Sequence, residues 1–150
     1  MPYICHPLQV ACHALALGFT DDHLVAAALL HDVCEDCGVS EEELPVNAIT
    51  AETVMLLTKP EEDFDQQSYY SRIARNPVAC VVKLLDRCSN LSEMSGGFSK
   101  TRMMQYIEET ERYVFDLLEQ VKNIRSEYAD RLFVLEYHMK SIIQTVRNLI

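Results

Sequence analysis

Apolar positions in this chain recur at helical spacing, nowhere alternate as in a half-buried strand, and show no internal repeat. Pro7 suits the first turn of a helix that runs to Gly18, a natural C-terminal stop. Thr20 is placed to cap a second helix, with Asp21 and Asp22 in its first turn near the positive dipole end. From Leu24 to Leu30 that helix is apolar on every side, which predicts burial in the core. The same helix is expected to carry on through His31-Asp32 to Glu35-Asp36.

Ser40 and Glu43 form a capping box for a short helix ended by Pro45, and another short helix follows Thr50. A polar loop, Lys59 to Asp65, leads to a helix near Gln66–Arg75, which must stop before Pro77. Pro77 opens the next helix, Val78–Leu91, apolar on most faces. Gly96-Gly97 break the chain, and two long amphipathic helices, roughly Thr101–Lys122 and Glu127–Asn148, finish it. About seven helices with short connections predict an all-α helical bundle, and 150 residues make one domain's worth of chain.

Composition narrows the class. The chain is 49% hydrophobic with 4 Gly and 5 Pro, which excludes disordered and low-complexity types. No run reaches the ~18 apolar residues of a membrane span, and no basic-then-apolar leader opens the sequence. Six cysteines without such a leader predict reduced thiols and a cytoplasmic setting. A formal charge of −10 argues against nucleic acid or an acidic membrane surface as partner. Residues 1–58 hold nine acids and no Lys or Arg, whereas within 72–102 six bases face only Asp86 and Glu93. An acidic half suits a cation and a basic segment suits an anion, although solvated faces account for the same counts.

The unusual chemistry is His31-Asp32 followed by Glu35-Asp36 at the end of an apolar helix. At about 100° per residue the four fit an arc of roughly 140°. Three carboxylates and an imidazole there would repel and resist desolvation, and a bound cation relieves both problems. Asp86 repeats the anomaly in the second apolar helix, with Asn90 one turn on and Arg87 adjacent as an alternative partner. His6 precedes Pro7; His13 shares its stripe but lies ~10.5 Å along the axis, too far to ligate the same ion. His23 and His138 read as ordinary, Cys34 and Cys37 are one CxxC without a second pair, and the six thiols read as small core fillers.

The order His6, His31-Asp32, Asp86 is the H…HD…D pattern of the HD phosphohydrolase superfamily. More narrowly, Pro2-Tyr3-Ile4-Cys5-His6-Pro7, the run Ala26–Asp36 and Lys83–Leu91 resemble the hydrolase domain of RelA/SpoT-type alarmone enzymes. Small stand-alone hydrolases of the metazoan SpoT-homologue type are similar. The segment Arg102–Thr110, with Glu109-Thr110, also resembles the following family helix.

The resemblance implies an all-α HD-domain fold and one Mn²⁺ held by His6, His31, Asp32 and Asp86. It implies that Glu35 and Asp36 activate or position the attacking water without ligating the metal. Asn90 matches a nucleoside contact, Arg102 falls where the family has a Lys near the substrate, and Arg87 is counted with them as substrate-binding. The implied activity is (p)ppGpp 3′-pyrophosphohydrolysis to GDP or GTP and pyrophosphate, with no synthetase domain. Hydrolysis of another nucleotide, or a metal-binding module without turnover, are the alternatives.

Three departures stand out. Family members usually have a helix before PYIxHP, whereas this sequence starts at Met1, so either the sequence is truncated or another surface is expected to recognise the base. Ser89 stands where a His commonly precedes the Asn, and the segment between His31 and Asp86 is shorter than in long bifunctional enzymes. The two C-terminal helices offer amphipathic faces for a homodimer.

Overall fold

A computed structural model describes residues 2–150 and is helical almost throughout, with no strand among the described residues. Helix α1 spans Cys5–Ala16 and ends where Gly18 takes φ +84°, a left-handed conformation that Gly adopts without steric cost. Helix α2 spans Asp22–Leu30 and α3 spans Val33–Cys37. The α2 cap is Asp21, whose carboxylate accepts from the Leu24 N–H, not Thr20. Ser40 and Glu43 form the expected capping box, but on a single 3₁₀ turn, Glu41–Glu43. Helix α4 spans Ala48–Leu57 and is capped by Asn47, three residues before Thr50.

Helix α5, Gln66–Ile73, leads into α6, Pro77–Glu93, where Pro77 occupies the first turn and Asn76 accepts from the Val78 and Ala79 N–H groups. Helix α7, Lys100–Glu109, continues through a π-helical segment, Thr110–Val114, into α8, Phe115–Ile124, and α9, Ala129–Leu149, ends the chain. The expected count of about seven holds if α2–α3 and α7–α8 are each taken as one interrupted rod.

Helix α6 is the axis of the fold. Every residue from Ala79 to Cys88 is buried, including Lys83, Asp86 and Arg87, because α1, α2, α4, α8 and α9 all pack around it. Burial of its apolar members contributes about 1.5–3 kcal/mol for each large side chain. Helix α2 departs from expectation. Leu24, Ala27 and Ala28 are buried, but Leu29 is 37% exposed, and Val25 and Ala26 are only half-buried. Its wholly apolar sequence packs one side on α1, α4 and α6 and leaves the other partly wet. Among the described residues no helix is long and apolar enough to cross a membrane.

Candidate metal centre and its cleft

The helix expected to run through His31 to Asp36 breaks between α2 and α3. His31 caps α2 with helical dihedrals, and Asp32 sits at φ −105°, ψ −4°, in the sparsely populated bridge region. In a continuous helix two adjacent side chains diverge by about 100°. Here both reach the same point: His31 Nε2 lies 3.1 Å from Asp32 Oδ2. Asp32 makes no cap bond to α3, so its carboxylate serves the cluster and not the helix.

Helices α1 and α6 complete the group. His6 Nε2 lies 3.2 Å from Asp86 Oδ1 and 3.6 Å from Asp32 Oδ2, and His31 Nε2 lies 3.5 Å from Asp86 Oδ1. One donor atom from each of His6, His31, Asp32 and Asp86 falls within 4.8 Å of all the others. Separations of 3.1–3.6 Å suit neighbouring ligands of one ion with bonds of about 2.0–2.3 Å.

Second partners fix three of the four ligands. His31 Nδ1–H donates to the Ala28 carbonyl at 2.7 Å, which leaves its Nε2 lone pair facing the cluster. That Nε2 is buried and has no hydrogen-bond partner, an uncommon state that a metal ion resolves. Ser89 Oγ lies 3.4 Å from His6 Nδ1, so the residue that departs from the family pattern still orients an imidazole. Asp86 receives Lys83 Nζ at 3.0 Å on Oδ2 and Asn90 Nδ2 at 2.6 Å on Oδ1. Burial opposes both charges of the Lys83–Asp86 pair, but their attraction wins: the carboxyl is held well below its ordinary range and the ammonium well above. Burial likewise opposes a charged His31, yet the Asp32 and Asp86 carboxylates beside it push its pKa up to about 10. The donor set attracts positive charge and fits a divalent cation.

Glu35 and Asp36 stand on α3, outside the four-residue cluster but on the rim of the same cleft. The Glu35 carboxylate accepts from the Lys59 N–H, which ties α3 to the end of α4. Burial first, and Asp32 next, raise the Asp36 carboxyl above its ordinary value, improving it as a proton acceptor. The cleft has a volume of about 170 Å³, and Lys59, Lys83, Arg87 and Asn90 line it together with the carboxylates. That volume admits a phosphate group; a whole nucleotide needs about 300 Å³ or more.

Arg87 is 1% exposed and held from several sides. Its terminal nitrogens donate to Glu109, to the Tyr70 hydroxyl at 2.8 Å and to Thr110 Oγ1 at 3.4 Å, while Nε has no partner. Arg102 is not brought to the cleft: its guanidinium stacks 4.5 Å over Phe98 on the exposed start of α7. Phe98 meets Tyr106 edge-on at 5.5 Å, and Arg87 stacks 3.9 Å over the other ring, so an aromatic row leads from the cleft to Arg102. Sequence reasoning missed Lys83 and Lys59 as individual members of the cleft. Lys83 was detectable as a Lys three residues before Asp86 in an apolar helix; Lys59 reaches the cleft only through the loop after α4.

Over most of its length the chain is similar to proteins named guanosine-3′,5′-bis(diphosphate) 3′-pyrophosphohydrolases. The chain is 31% identical over 118 residues to the guanosine-3′,5′-bis(diphosphate) 3′-pyrophosphohydrolase MESH1 of Mus musculus, covering 71% of this chain and 66% of that protein. It is 29% identical over 160 residues to the guanosine-3′,5′-bis(diphosphate) 3′-pyrophosphohydrolase of Aquifex aeolicus, covering 99% of this chain and 22% of the relative. A solved structure described as a metazoan ortholog of SpoT that hydrolyzes ppGpp shares the fold, with a TM-score of 0.70 and 23% identity across 100% of this chain and 84% of that one. No protein-family model matches the chain. The chain thus spans about a fifth of the bacterial relative and just under two thirds of the mouse one.

Proposed function

We propose that this chain is a Mn²⁺-dependent (p)ppGpp 3′-pyrophosphohydrolase, a single HD domain acting in the cytoplasm. The observation that carries the reading is the four-residue cluster, with its unpartnered His31 Nε2, opening on a cleft that pairs acids on α3 with bases of α6 and of the loop after α4. The names of the sequence relatives supply the substrate.

His6, His31, Asp32 and Asp86 would hold the ion, which supplies a Lewis acid and a water of lowered pKa. Asp36 would serve as the proton acceptor for an attacking water, and Glu35, anchored by the Lys59 N–H, would fix the water's approach. Lys59, Asn90 and the free Nε–H of Arg87 meet the phosphate oxygens that enter the 170 Å³ cleft. The nucleoside stays outside, where Phe98, Tyr106 and Arg102 offer stacking surface and positive charge.

Metal analysis followed by hydrolysis assays on ppGpp, NADPH and nucleoside monophosphates tests this. The expected result is bound Mn²⁺ and the fastest turnover with ppGpp. Faster turnover of another nucleotide would reassign the substrate, and no turnover by metal-loaded protein would make the chain a binding module.

A further inference from the structure

A second group of metal-binding side chains lies apart from the proposed hydrolytic centre. His13 of α1, Cys88 of α6 and His138 of α9 each bring one donor atom within 4.8 Å of the other two. The His13 and His138 rings stand 6.2 Å apart between centroids and tilt by 31°. Cys88 is buried at 3% exposure, His13 is half-buried and His138 is exposed, so the group opens to solvent on one side only.

The two sites share their helices. His13 follows His6 by seven residues, on the same stripe of α1. Cys88 follows Asp86 by two, about 200° round α6, so it faces the opposite side of that helix.

We propose that His13, Cys88 and His138 bind a second divalent ion of the zinc class, which ties α9 to the two helices that hold His6 and Asp86. Two imidazoles and a thiolate form a borderline-to-soft donor set, which selects Zn²⁺ or Co²⁺ over the harder Mn²⁺ suited to the carboxylate-rich cluster. Three protein ligands leave the fourth tetrahedral position to water on the open His138 side. Burial and the neighbouring His138 lower the His13 pKa, which favours the neutral ring that ligation needs. On loading, the S–H bond breaks, the proton leaves to solvent and the sulfur–metal bond forms.

Cobalt distinguishes this site from the first, which contains no sulfur. Co²⁺ titrated into metal-free protein should produce a thiolate-to-cobalt charge-transfer band. The band should persist in Asp86→Asn, disappear in Cys88→Ser, and need at least about tenfold more Co²⁺ in His138→Gln. His138 is exposed, so that variant should fold normally and makes the test independent of any disturbance in the core. No band in the wild type would overturn the proposal. So would a band that survives Cys88→Ser, since another of the six cysteines would then be its source, or an unchanged affinity in His138→Gln.

Discussion

Two helices expected to be continuous are interrupted, and the interruptions do different work. Between α2 and α3, the bridge-region backbone at Asp32 brings two neighbouring side chains to one point, which a regular helix cannot do. Between α7 and α8, the π segment Thr110–Val114 leaves the rod running on. At its start Thr110 Oγ1 donates to the Tyr106 carbonyl at 2.7 Å and accepts from Arg87, beside the Glu109 pair to the same guanidinium. The first break builds a cation site from the end of a helix; the second shapes a clamp for one buried cationic side chain. Asp86 and Arg87, adjacent on α6, are the recipients, one for each break. The difference lies in what each break serves: the first leaves His31 Nε2, one of four converging donors, without a partner, whereas the second satisfies the terminal nitrogens of Arg87 through Glu109, Tyr70 and Thr110 and leaves only its Nε free.

Substitutions at the two recipients should separate these roles. Asp86→Ala has the largest expected effect: metal content and hydrolysis are both lost, and buried Lys83 is left without its partner. Removing one member of a buried ion pair costs about 3–5 kcal/mol, read as a lower urea midpoint even in metal-free protein. Arg87→Met should lower stability by a similar or somewhat smaller amount, about 3 kcal/mol, because Glu109 retains partial solvent access and the Tyr70 hydroxyl. It should nevertheless keep metal binding near wild type. Loss of metal in Arg87→Met would merge the two regions into one unit.

Between these lies the chemistry past the first break. Glu35→Gln or Asp36→Asn should leave metal content near stoichiometric while hydrolysis falls by about 10²-fold, or about 2.7 kcal/mol of barrier. Equal metal loss in both variants would place these carboxylates among the ligands.

Three members of the cluster stood out in the sequence as chemically out of place, an HD pair ending an apolar helix and an Asp inside another, whereas His6 entered only through the family resemblance. The break that unites them was not legible, since the local pattern favours helix through Asp36, whereas the chain leaves the helix at His31-Asp32. The expectation of a wholly buried α2 also misled, because apolar residues are free to stand partly exposed, as Leu29 does. The site therefore rests on convergence of donor atoms and not on the absence of a wet helix face. His138 read as ordinary and His13 only as too far from His6 to share its ion, because 125 residues separate the two along the chain and only the packing of α1, α6 and α9 brings them to Cys88. Arg102 was placed by motif position alone, and its stacking on Phe98 keeps it out of the cleft.

The smallest expected effect is a pH dependence of the second region. Burial opposes ionised Glu109, but Arg87 and the hydrogen bonds from Tyr70 and Arg87 win, so its folded-state pKa is lowered. A depressed carboxyl pKa gives stability that is fully present above the unfolded value of about 4.3 and is lost as pH falls through the folded value. Arg87 stays charged throughout, so the change belongs to the carboxylate. Urea unfolding of metal-free protein from about pH 6 to about pH 3 should therefore show wild type losing more stability than Glu109→Gln. Other carboxylates held low, such as Glu136 between Lys122 and Lys140, titrate equally in both proteins and cancel in the difference. Parallel curves would mean that Arg87 is held by Tyr70, Thr110 and ring stacking without help from the Glu109 charge, and the second break would then be a packing feature alone.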